Sequence, residues 1–175
     1  MRAVTRGQER PTSAAIAGYP LGGAGMRRAL PFRPPGMLGS MAFLQQIALV
    51  VPDYDAAIAF FVEVLGFELV EDSPSLTNDG RPKRWVVVRP PGGQTALLLA
   101  QADGDEQQAV VGRQVAGRVG FFLRVDDFDV TFDRLVAAGA TIVRPPRHEP
   151  YGQVAVFEDL CGNRWDLLGP PPAGA

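Results

Sequence analysis

Along this chain the spacing of apolar positions changes from strand-like to helix-like and back, twice and in the same order. Gln46–Val51 (QIALVV) is a short apolar run of branched residues closed by Pro52, the pattern of a buried strand. Asp53 stands where a helix N-cap belongs, and Ile58, Phe61, Val62 and Leu65 recur along one helical face. Gly66 accepts the left-handed conformation that ends a helix, and Phe67–Val70 resumes as strand. The stretch from Gly120 to Val143 repeats these parts. Val51-Pro52-Asp53-Tyr54-Asp55 aligns with Val125-Asp126-Asp127-Phe128-Asp129, and Leu65-Gly66 with Ala138-Gly139. The offset falls by one between the two alignments, so the second helix is one residue shorter. Strand, capping Asp-aromatic-Asp, amphipathic helix, glycine and strand in one order make an internal duplication.

The remaining segments complete each half. Ser73–Lys83 reads as a polar loop, Arg84–Arg89 as a third strand, Pro90-Pro91-Gly92-Gly93 as a turn and Thr95–Gln101 as a fourth strand. Asp103–Val115 is polar and reads as a linker. In the second half Val119–Val125 is strand, Asp127–Ala138 helix, and Thr141–Val143 a strand stopped by Pro145-Pro146. Val154–Phe157 and Arg164–Leu168 form a last hairpin about Asp159-Leu160-Cys161-Gly162-Asn163. Two amphipathic helices and about eight strands predict an α+β fold. Paired βαβββ modules place each half-sheet over its helix, and together they form an open, cup-shaped eight-stranded β-sheet whose concave side suits a ligand. The expected layout is a disordered extension over 1–40 and a domain over 41–169, with a Pro/Gly tail at 170–175. Within the domain, module one spans 43–102, the linker 103–116 and module two 117–169.

Composition narrows the function. A hydrophobic fraction of 46% and a charged fraction of 21% are those of a soluble globular chain, and no apolar run approaches the ~18 residues of a membrane span. The lone Cys161 excludes an internal disulfide and suits a reducing, cytoplasmic setting. Residues 1–40 carry six arginines against Glu9, so the remaining residues stand at −7 to give the net −2. A domain that acidic has no electrostatic case for nucleic acid or anionic lipid. The extension lacks apolar periodicity, and Met41 immediately precedes the first strand.

The paired modules, Leu65-Gly66-Phe67, Ala138-Gly139-Ala140 and the Asp159–Asn163 turn together resemble the vicinal oxygen chelate superfamily. That superfamily includes glyoxalases, extradiol dioxygenases and bleomycin-resistance proteins. The resemblance implies a glyoxalase-like fold over about 43–169, and, in the enzymes, a divalent metal held by one residue from each of four strands. Carried over, those positions are Gln46, Leu98, Gly120 and Asp166. Gln46 and Asp166 supply oxygen donors, while Leu98 and Gly120 supply none, and their same-face neighbours Ala96, Ala100, Arg118 and Phe122 are not ligands either. No metal or other cofactor is therefore expected; a divalent metal is the alternative.

Other candidate residues follow from chemistry. His148, the only histidine, falls in the loop before the seventh strand and is a weak acid–base candidate, as is Asp166. Trp85, Phe122, Tyr151 and Phe157 offer flat surface for stacking, and Arg84, Arg118 and Arg124 offer anion contacts. Cys161 has no histidine near it in sequence to activate it. The candidate ligand contacts are Gln46, Trp85, Leu98, Phe122, Arg124, His148, Tyr151 and Asp166. The favoured expectation is a protein with a degenerate metal site that binds a small hydrophobic or aromatic molecule in the cup, as a homodimer. The alternatives are a metal-dependent lyase, isomerase or dioxygenase with a rearranged site, and a non-catalytic dimeric interaction protein.

Overall fold

In the computed structural model, which describes residues 42–170, both expected helix caps are formed. Asp53 accepts a hydrogen bond from the Ala56 amide at 2.9 Å, and Asp127 accepts one from the Val130 amide at 3.0 Å. The helices they start are α1 (Tyr54–Ala59) and α3 (Phe128–Ala137). Gly66 and Gly139 close them, both with φ of 72°, a conformation only glycine adopts cheaply. The extra residue of the first helix is absorbed as a π-helical turn over Phe60–Val64, where the Leu65 amide reaches back to the Phe60 carbonyl at 3.2 Å. Phe61 and Leu135, equivalent in the two repeats, are both fully buried.

The strands are β1 (Gln46–Val51), β2 (Glu68–Leu76), β3 (Pro82–Arg89) and β4 (Ala96–Gln101) in module one. Module two has β5 (Val119–Arg124), β6 (Ile142–Glu149), β7 (Gly152–Glu158) and β8 (Arg164–Leu168). They form two open four-stranded mixed sheets of matching order, β1-β4-β3-β2 and β5-β8-β7-β6. In each, the first strand runs parallel to the last and the other pairs are antiparallel. The architecture is the expected α+β pairing of βαβββ modules in a glyoxalase-like open cup.

Three elements depart from the sequence expectation. β2 runs to Leu76 through residues expected as loop, and the chain reverses only at Thr77–Arg81, where the Thr77 hydroxyl accepts the Arg81 amide at 2.8 Å. β6 likewise continues through Pro145 and Pro146, so His148 lies in a strand and not in a loop. Both are outer strands of their sheets, where a missing amide costs no ladder bond, and a bulge between Arg144 and Arg147 drops the two prolines from the pairing. The expected linker contains a short helix, α2 (Asp105–Val110). The expected disordered extension over 1–40, and all of the 170–175 tail but Pro170, lie outside the described residues.

One core cluster joins both halves. Leu49, Val51, Val86, Val88, Leu97 and Leu99 of the first sheet share it with Leu123, Ala155, Phe157, Trp165 and Leu167 of the second, and the helices contribute Ala57, Phe61, Leu65, Phe128 and Leu135. At its centre the Trp165 indole meets Phe61 of module one at 5.9 Å and stacks on Phe121 at 4.4 Å. Its Nε1–H donates to Asp159 at 3.0 Å. Removing the Phe61 ring leaves a cavity between the halves, so Phe61→Ala is expected to lower stability by about 3–5 kcal/mol. The check is the midpoint of urea unfolding, with the slope unchanged.

Candidate functional site

Strand alternation assigns every residue of the sheets to the helix-packed face or to the opposite, concave face. In module two the concave face is built of two straight rows across all four strands. The first is Arg144 on β6, Val156 on β7, Asp166 on β8 and Phe122 on β5; the second is Arg147, Val154, Leu168 and Arg124 in the same order. Val154 and Val156 are buried beneath the flanking side chains, whereas Phe122 is 65% exposed. In module one the row equivalent to the first is Glu71, Val87, Leu98 and Ala48. Leu98 therefore stands where Asp166 stands in the other half.

The sequence-derived candidates distribute over these faces. Gln46 pairs with Ala96 and shares the module-one concave face with Leu98, while Trp85, Leu98 and Ala100 line a hollow of about 570 Å³ at the end of that sheet. Tyr54, Gln101 and the Thr77–Arg84 hairpin complete its wall, and no residue of module two takes part. Its rim is braced by Arg81, which bridges Asp79 and Asp103, and the Lys83 ammonium lies 6.0 Å from the Trp85 ring centre. Phe122, Arg124 and Asp166 meet on the module-two face, and Tyr151 stands exposed in the β6–β7 turn. His148 pairs with Gln153, which puts it on the face opposite Asp166, exposed.

Two of the three arginines considered for anion contact are engaged or displaced. Arg84 lies on the helix side and is clamped by Asp72 and Asp55, and Arg118 precedes β5. Arg124 donates to the Gly169 carbonyl, a neutral partner. Phe157 is core. The arginines that do flank Asp166 are Arg144 and Arg147, which the prolines between them had hidden as loop. Burial pushes the Asp166 carboxyl above the ordinary carboxylate range, and Arg147 and Arg144 pull it back down. Arg147 donates through Nε to Glu149 at 2.8 Å, and its Nη1 is buried with no partner. Burial pushes the Cys161 thiol up to about 12, which leaves it protonated and unreactive at neutral pH.

The comparisons agree with this geometry. The model of the Glyoxalase/Bleomycin resistance protein/Dioxygenase superfamily matches residues 43–167, and the chain belongs to that superfamily. An uncharacterized protein of Shewanella frigidimarina (strain NCIMB 400) is 53% identical over 123 residues, 70% of this chain and 89% of the relative. Among solved structures, UcmS2 is 30% identical with a TM-score of 0.60, covering 74% of this chain and 98% of UcmS2. TnmS3, an antibiotic binding protein from Streptomyces sp. CB03234, is 30% identical with a TM-score of 0.58, covering 76% of this chain and 99% of TnmS3.

The four positions that would hold a metal in the enzymes do not fit one. Gln46 and Asp166 provide two oxygen donors, Leu98 none, and a Cβ added at Gly120 would sit 2.8 Å from both methyl groups of Val115. The Gly120 corner is therefore filled by a valine from the preceding loop. Among the described residues no three of His, Cys, Asp and Glu gather as a ligand set. Gly120→Ala is expected to cost about 1–3 kcal/mol by overpacking, and Val115→Ala to recover most of it in the double variant, as read by thermal unfolding.

A pH test addresses Asp166. A carboxyl whose pKa is raised by folding binds protons more tightly in the folded state, so its contribution favours folding at low pH and is lost as pH rises through the folded value. Asp166→Asn should thus stabilise the protein at pH 7, with the gain shrinking as pH falls through the carboxylate range. Denaturant midpoints of both proteins at pH 4 and pH 7 measure this, and a pH-independent difference would refute it.

Proposed function

We propose that this protein binds a small, planar, largely apolar molecule in its cup and does so without a metal cofactor. The observation that carries the reading is the module-one row Glu71–Val87–Leu98–Ala48 beside Trp85. Where an enzyme of the superfamily needs a chelating side chain, Leu98 offers an isobutyl group to a hollow of about 570 Å³, a volume suited to a drug-sized ligand. Trp85 supplies a ring for stacking, and Ala100, which lines the same hollow, leaves room beside it. The likeness to TnmS3, an antibiotic binding protein, supports binding over turnover. We further propose that the protein works as a homodimer, since β1 and β5 are outer strands, from which a sheet can extend into a second copy, although Gln114 bonds part of the β1 edge.

Thermal-shift screening against polycyclic aromatic compounds, followed by calorimetric titration, tests the reading. A ligand at about a hundred times its Kd adds roughly 2.7 kcal/mol, a rise of several degrees in Tm for a domain of this size. Trp85→Ala is expected to weaken the best ligand at least tenfold while leaving the unliganded Tm within a few degrees. Purified protein carrying stoichiometric Zn, Ni, Fe or Mn would overturn the metal-free part, and a screen without any stabilising compound would overturn the whole.

A further inference from the structure

We propose that the concave face of module two holds a second ligand, an aromatic acid, its carboxylate met by Arg144 and Arg147 and its ring lying against Phe122. This site is separate from the module-one hollow, in which no residue of module two takes part. In the two rows of the module-two face, Arg144 and Arg147 stand side by side on β6, across the buried Val156 and Val154. Arg144 has no hydrogen-bond or ion-pair partner among the described residues. Arg147 spends Nε on Glu149, and its Nη1 is buried without a hydrogen-bond partner among the described residues. Arg144, exposed and unpaired, is the guanidinium a ligand oxygen reaches first. Guanidinium groups bind carboxylates through paired N–H donors.

The rest of the face fits the same occupant. Phe122 closes the Arg144 row three strand spacings away, about 14 Å at Cα, and exposes most of its ring. Charge points the same way. The residues beyond 1–40 sum to −7, yet this face carries Arg124, Arg144, Arg147 and Arg164 against Glu149, Glu158 and Asp166. This face is therefore positive by one charge, while the residues beyond 1–40 are negative in sum. Asp166, in the middle of the row, opposes an anion, so its role here is to tune affinity downward and not to hold the ligand.

The test compares 2-naphthoate with its neutral analogue 2-naphthalenemethanol by calorimetric titration of the full chain. Wild type is expected to bind the acid at least tenfold more tightly. The Arg144→Gln/Arg147→Gln double variant should lose that preference while holding the alcohol unchanged, and Asp166→Asn should bind the acid more tightly still. Raising salt from about 50 mM to 500 mM should weaken the acid and leave the alcohol alone. Equal binding of acid and alcohol, a preference that survives the double variant, or weaker acid binding by Asp166→Asn would each overturn the inference while the binding reading stands. Failure of both compounds to bind would overturn it as well, whatever the wider screen finds for the module-one hollow.

Discussion

The molecule depends on one buried indole. Trp165 packs against Phe61 from module one and against Phe121 and Phe157 from its own sheet, so a single side chain joins aromatic surface from both repeats. An indole so deep needs a partner for its N–H, and Asp159 provides it. The same carboxylate accepts the amides of Cys161 and Asn163 and the Asn163 side-chain amide, which holds the β7–β8 turn in shape. Turn, indole and inter-module core are therefore one construction. A duplicated module that places its helix face against its twin buries the apolar side of both sheets at once.

That arrangement leaves the concave faces without a structural duty, and the two repeats differ most there. On the helix side the repeats keep matching residues, Phe61 with Leu135 and Tyr54 with Phe128, all buried. On the concave side equivalent rows read Glu71–Val87–Leu98–Ala48 and Arg144–Val156–Asp166–Phe122. Only the valine over the sheet centre is kept. Leucine and glycine at two metal-ligand positions cost the fold nothing, because the core is closed on the other face. The superfamily scaffold thus carries a largely apolar row in one half and an arginine-bearing row in the other.

Much of this was legible in the chain. Asp53 and Asp127 announce the caps by position, Gly66 and Gly139 the helix ends, and the offset lost between the repeats marks the residue that becomes a π-helical turn. Each of these is a local effect, decided within a few residues by hydrogen bonding or by the φ that a glycine permits. The apolar character of Leu98 and the bare Gly120 were equally plain, and with them the shortage of donors. What misled was Pro145-Pro146. Prolines stop an inner strand, and only a bulged outer strand carries the chain past them.

The amino-acid order by itself determined the duplication, the α+β class and the buried stripe of each helix, because alternation and helical spacing are properties of short segments. Register across the sheet is not such a property. Whether Arg144 lies level with Asp166, whether His148 shares its face, and whether Val115 fills the space above Gly120 depend on strand order, on bulges and on where a loop crosses. A one-residue shift in pairing reverses a side chain's face, so the binding surface was decided in the tertiary structure, where residues far apart in sequence are set level on neighbouring strands.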